Sequence, residues 1–191
     1  MLELIAGLLI FLGLHSVRVF AADWRSRQIA NLGDKAWKLS YTALSLLGFG
    51  LIIYGYGQAR MAQVILWQPL PGMSHLAALL TLLAFILLVA AYVPGNQIKA
   101  RLGHPMLLGT KTWALAHLLA NNTLADVLLF GGFLVWAILC FRSSRQRDAA
   151  AGLVRPGGSA AMTSLTIAIG TLAWAGFAFW AHQWLIGVRP L

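Results

Sequence analysis

Residues 162–188 pass without a single Asp, Glu, Lys or Arg. A helix crosses the hydrocarbon slab of a bilayer with about 20 apolar residues, so this run is long enough to span. Residues 39–56 and 76–93 are likewise uncharged. In lipid every backbone N–H and C=O must be satisfied internally, which leaves helices or closed barrels. Runs of this length without polar alternation select helices. Composition agrees: 60% of the 191 residues are hydrophobic and 10% are charged, against about 25% charged in soluble domains. The fold class is therefore all-α, a polytopic transmembrane helical bundle.

About six spans are expected, near residues 4–22, 37–56, 75–93, 105–120, 123–141 and 162–188. Turn-rich "QPLPGMS" separates the second from the third, and "VPGN" ends the third, because Pro and Gly break helices. Pro105 opens the fourth span, where its missing N–H costs nothing. Thr123 and Asp126 have capping-box spacing for the fifth, with Asp in place of the usual Glu or Gln. The first span reads as a retained helix rather than a cleaved leader. Glu3 stands where a leader has a basic region, and His15 and Arg18 interrupt the apolar part. No repeat and no soluble domain is visible, so residues 1–191 read as one transmembrane domain.

The net charge of +9 raises the question of nucleic acid. The placement of the charge answers it. Arg18, Arg25, Arg27, Lys35 and Lys38 lie at the facing ends of the first two spans or between them, Lys99 and Arg101 before the fourth, and Arg142, Arg145, Arg147 and Arg155 between the last two. These make up eleven of the 14 basic residues. Basic short loops mark the cytoplasmic side, so both termini are expected to face away from the cytoplasm. A topology signal of this kind excludes a nucleic-acid patch as the reading of the charge.

Few ionisable groups lie away from the span ends: His15 in the first, Lys111 and His117 in the fourth, and His182 in the sixth. A charged group at mid-membrane costs on the order of 3 kcal/mol. His75 and His104, at helix starts, read as interfacial or capping residues. His182, between Trp180 and Trp184, fits an aromatic belt. His15 and His117 are deeper, about 10 Å and about 18 Å from the cytoplasmic helix ends at 1.5 Å per residue. Hydrogen bonding between helices and metal ligation both suit them. Five acids, none at mid-helix, do not make a carboxylate di-iron site. Zinc normally asks for three or four protein ligands. One cysteine, Cys140, makes no disulfide and no CxxC or CxxCH motif. Two histidines on separate helices suffice for haem, whose porphyrin supplies the equatorial nitrogens. Lys111 could meet a haem propionate or another buried acid, or snorkel to the interface, as Arg18 can.

The stretches "LGLHSVRVF" at 12–20, "RLGHPMLLGTKTWALAHLLANN" at 101–122 and "HQWLIGVRP" at 182–190 resemble the NnrU family of bacterial membrane proteins over essentially the whole chain. That resemblance implies a multi-pass protein of the bacterial inner membrane, linked to nitrite and nitric oxide metabolism in denitrification. A related membrane domain occurs in 15-cis-zeta-carotene isomerase, which carries haem b. By motif, the resemblance implies His15 and His117 as haem ligands, and the histidine of the isomerase's "HP" motif falls on His104. Arg18, His104 and Lys111 are further candidates for contact with the cofactor. The cysteine that the isomerase places three residues before its second histidine is Ala114 here. Three functions follow as expectations. The first is a haem b protein handling a diatomic ligand or an electron. The second is a haem-dependent cis–trans isomerase of an apolar polyene. The third is a non-enzymatic scaffold or small transporter.

Overall fold

In a computed structural model the described residues are 1–68 and 70–190. They are helical, with two isolated bridge pairs as the only extended pairing among them. The order is α1 (Leu2–Phe20), α2 (Ala22–Leu32), α3 (Asp34–Met61), α4 (Met73–Tyr92), α5 (Gln97–Leu102), α6 (Pro105–Ala120), α7 (Leu124–Ala150) and α8 (Ala160–Gly176). A π-helical turn, Phe177–Ala181, then joins α8 to α9 (His182–Ile186). Five stretches are long and apolar enough to cross a membrane: Leu2–Phe20, Asp34–Met61, Met73–Tyr92, Leu124–Ala150 and Ala160–Ile186. The 16-residue α6 is the expected fourth span, shorter than the others. Five spans by length, with the shorter α6 at the place of the fourth, are in rough agreement with the six expected. The "QPLPGMS" stretch lies after α3 and runs into α4, which begins at its Met73; its Pro69 is outside the described residues.

The chain divides into two compact units. The first comprises Met1–Trp67 with Asn122–Trp136, and the second Gln68–Asn121 with the described residues from Ala137 on. In the first unit, α1 and α3 pack backbone to backbone through glycine. A Cβ on Gly55 would lie 2.2 Å from the Leu4 nitrogen, and one on Gly7 would lie 2.6 Å from the Ile52 nitrogen. Small residues drive such contacts in lipid, where close packing replaces the hydrophobic effect. The turn at 121–123 meets the segment after α3: Leu66 N–H donates to the Asn122 carbonyl at 2.8 Å, and Leu124 N–H to that of Val64 at 2.9 Å.

In the second unit, α4 presents buried Ala77, Ala84 and Ala90. A Cβ on Gly109 of α6 would come within 3.0 Å of the Ala84 carbonyl oxygen, and one on Gly170 of α8 within 2.7 Å of the Ile86 Cα. Asn96 ties the end of α4 to the start of α5. Its Nδ2 donates to the Ala90 and Val93 carbonyls, and its Oδ1 accepts from Lys99 N–H. Buried polar groups have to be satisfied in this way, and Asn96 is 1% exposed. Ser159 caps α8 by accepting from Met162 N–H and pairs with Asn96.

Candidate functional site

His15 sits on α1 with its Nδ1 2.7 Å from the Phe11 carbonyl oxygen. A carbonyl only accepts, so Nδ1 carries the proton and Nε2 keeps its lone pair. The Phe11 ring stacks on the imidazole with centroids 4.2 Å apart. Tyr41 of α3 and Trp136 of α7 approach it edge-on, at 5.3 and 6.2 Å. The imidazole is thus clamped by aromatic rings as well as by its own helix. Two solvent-shielded polar atoms of this unit lack a partner: Trp136 Nε1 and Ser45 Oγ, one turn beyond Tyr41 on α3. An unsatisfied buried donor costs about 1–3 kcal/mol.

A cavity of about 330 Å³ opens beside His15. Arg18 and Tyr41 line it together with Arg25, Asp34 and Lys38, so it combines one imidazole with three cations. Trp24 and Trp37 meet edge-on at 6.0 Å, bringing α2 against α3 near this cavity. Sequence reasoning singled out His15 and Arg18. It missed Arg25, because residues 22–32 were read only as a basic loop, whereas α2 gives them a fixed place.

In the second unit His117 repeats the arrangement of His15. Its Nδ1 lies 2.9 Å from the Trp113 carbonyl oxygen, four residues earlier, so Nδ1 donates and Nε2 holds the lone pair. The Trp113 ring lies 5.1 Å from the imidazole. His117 C=O accepts from Asn121, whose side chain closes α6. Lys111 reaches toward the C-terminal half of α7. Its Nζ stands 3.9 Å from the Phe141 ring centroid, a cation–π contact.

His104 occupies the N-cap position of α6 but makes no side-chain cap bond. Its Nε2 instead lies 2.7 Å from Asp148 Oδ2, and Arg155 also donates to that oxygen. The guanidinium packs so close to Gly103 that a Cβ there would fall 2.8 Å from its Cζ. Gly103 also has φ +80°, and it is this backbone conformation that calls for glycine, since the flexible Arg155 end could shift. His104 is thereby bound into an ion cluster that joins the α5–α6 corner to the loop after α7. His75, at the start of α4, and His182 complete the histidines; the latter donates Nδ1–H to the Val188 carbonyl at the exposed end of the chain.

Among the described residues no three His, Cys, Asp or Glu side chains converge as a bare metal ion would require. Haem needs less from the protein, and the residues present suit it. Two imidazoles have Nε2 as the basic nitrogen, and one of them adjoins a cationic cavity and an orphaned indole N–H. A family model for the NnrU protein matches residues 3–190. This chain belongs to the NnrU family. Comparison with curated proteins and with solved structures finds no match. The NnrU match runs across both units and takes in His15, His104 and His117 alike. The NnrU-like stretch at 101–122 builds the α5–α6 corner and all of α6, and the stretch at 12–20 builds the half of α1 that carries His15.

Proposed function

We propose that this NnrU protein is a haem b protein of the bacterial cytoplasmic membrane, with His15 and His117 as axial ligands and a role in nitrite and nitric oxide metabolism. The observation that carries the reading is the matched state of the two imidazoles. Each gives its Nδ1 proton to the carbonyl four residues earlier, at 2.7 Å for His15 and 2.9 Å for His117. Metal-binding histidines are usually held this way, since the bond fixes the tautomer and raises the basicity of the other nitrogen. The orphaned Trp136 Nε1 beside His15 adds support, because it is a donor whose acceptor the chain does not supply.

Bound haem, held by His15 and His117, would supply a one-electron couple and an iron with affinity for diatomic ligands. The chain's own contribution is orientation and exclusion of water. Phe11, Tyr41 and Trp136 surround one imidazole with ring surface, and Trp113 flanks the other. The polyene-isomerase reading stands second. At the position of the isomerase's cysteine the chain has Ala114, a fully buried methyl group that offers no thiol.

The visible spectrum of protein purified from haem-replete cells tests the proposal. A six-coordinate b-type Soret band is expected in the wild type and in His75→Ala. The band is lost or becomes five-coordinate in His15→Ala and in His117→Ala. A correctly folded but colourless wild type would falsify the haem assignment and favour the scaffold reading.

A further inference from the structure

We infer that the cavity beside His15 is a clamp for two carboxylates, in which Arg18 and Arg25 take the propionates of the porphyrin whose iron His15 ligates. The inference rests on the haem reading above and narrows it to one edge of that ligand. Charge inside the cavity is the first argument. Its lining holds Arg18, Arg25 and Lys38 against a single acid, Asp34. Lys38 Nζ lies 2.6 Å from Asp34 Oδ2, so these two neutralise each other. Three cations less one carboxylate leave two positive charges, one on each guanidinium. The propionate edge of haem carries two negative charges.

Geometry is the second argument. Arg18 follows His15 by three residues, hence about one turn and roughly 4.5 Å further along α1. Among the described residues it forms no ion pair. Helix α2 turns back after Ala21 and brings Arg25 to the same cavity. The Arg25 guanidinium stands 5.9 Å from the Trp37 ring centroid, which orients its fork without neutralising it. Such a fork binds carboxylate in two-point fashion. A volume of about 330 Å³ suits the carboxylate edge rather than a whole macrocycle. A phospholipid headgroup would satisfy the arginines but would leave the basic nitrogen of His15 without a purpose.

The test uses the full chain in detergent, stripped of pigment and titrated with ferric haem b or with its dimethyl ester while the Soret band is followed. The wild type is expected to bind the acid at least about tenfold more tightly than the ester, the size of a charge-assisted hydrogen bond or more. In the Arg18→Gln/Arg25→Gln double variant that preference disappears, while affinity for the ester stays within about twofold. Arg25→Lys, which keeps the charge and loses the fork, is expected to fall between. Equal wild-type affinity for acid and ester overturns the clamp without any variant and leaves the haem reading intact. Equal loss of both ligands in the double variant assigns the arginines to the fold and also overturns it. No protein-dependent shift of the Soret band with either ligand overturns the clamp and the haem reading together.

Discussion

Asp126 shows how much of a polar cluster a local pattern can reveal. It is 5% exposed, and Thr123 donates both its N–H and its hydroxyl to Oδ2, at 3.0 and 2.6 Å. Asp126 N–H returns a bond to Thr123 Oγ1 at 3.2 Å. This is the reciprocal cap that the Thr123–Asp126 spacing announces, with Asp serving in place of Glu. The remaining bond, from the Tyr56 hydroxyl to Oδ1 at 2.5 Å, joins residues 70 positions apart. No local spacing encodes it. The same holds for His104 and Asp148, 44 positions apart, and so the capping expectation for His104 missed its actual partner. His15 and His117 were legible because a histidine deep in an apolar helix stands out by itself. Tyr56→Phe removes one donor and leaves a buried carboxylate oxygen desolvated. It is expected to cost about 1–3 kcal/mol in reversible unfolding in detergent. An unchanged midpoint would mean that water already serves Oδ1.

At the scale of elements, hydropathy found the spans and passed over what lies between them. Helix α2 reads "ADWRSRQIANL" and buries none of its residues. A search for apolar runs treats such a stretch as loop. With Trp24, Ile29 and Leu32 among basic and polar residues, it has the composition of a helix lying in the membrane interface. Helix α7 runs on to Ala150, past the expected end near Phe141, because Arg, Gln and Ala are good helix formers and no Gly or Pro intervenes before Gly152. The glycine seam between α1 and α3 was likewise hidden, since a glycine at an interface and one facing lipid look alike in sequence. Space around them differs sharply. A Cβ on Gly55 meets the backbone of α1 at 2.2 Å, while one on Gly57 meets nothing within 4 Å. Gly55→Ala should therefore force the two helices apart, at about 1–3 kcal/mol by the usual cost of overpacking. Gly57→Ala should be neutral or gain up to about 1 kcal/mol from helix propensity. Thermal melts of the two variants side by side check the contrast, and similar losses for both would remove the seam from the account.

For the whole molecule, the alternation of loops is the claim with the widest reach. Two backbone pairings agree with it. Ile65 pairs with Thr123, and Asn96 pairs with Ser159. In a six-span chain the first pair joins the loop after the second span to the loop after the fourth, and the second pair joins the loops after the third and fifth. Each pair lies on one side, as odd and even loops must. Which side faces the cytoplasm follows from charge alone: Arg25, Arg27, Lys99, Arg101 and Arg155 belong to one set of loops, while Arg60 and Arg189 flank the other. Labelling with a membrane-impermeant maleimide, in a Cys140→Ser background, tests the assignment. Gln63→Cys is expected to react from outside intact spheroplasts. Arg27→Cys and Gly152→Cys are expected to react only after the membrane is opened. The reverse pattern inverts the protein without disturbing six spans, whereas labelling of Gln63→Cys and Arg27→Cys from the same side breaks the alternation itself. Because Arg27 shares α2 with Arg25, its label also reports the side from which the cavity beside His15 is reached.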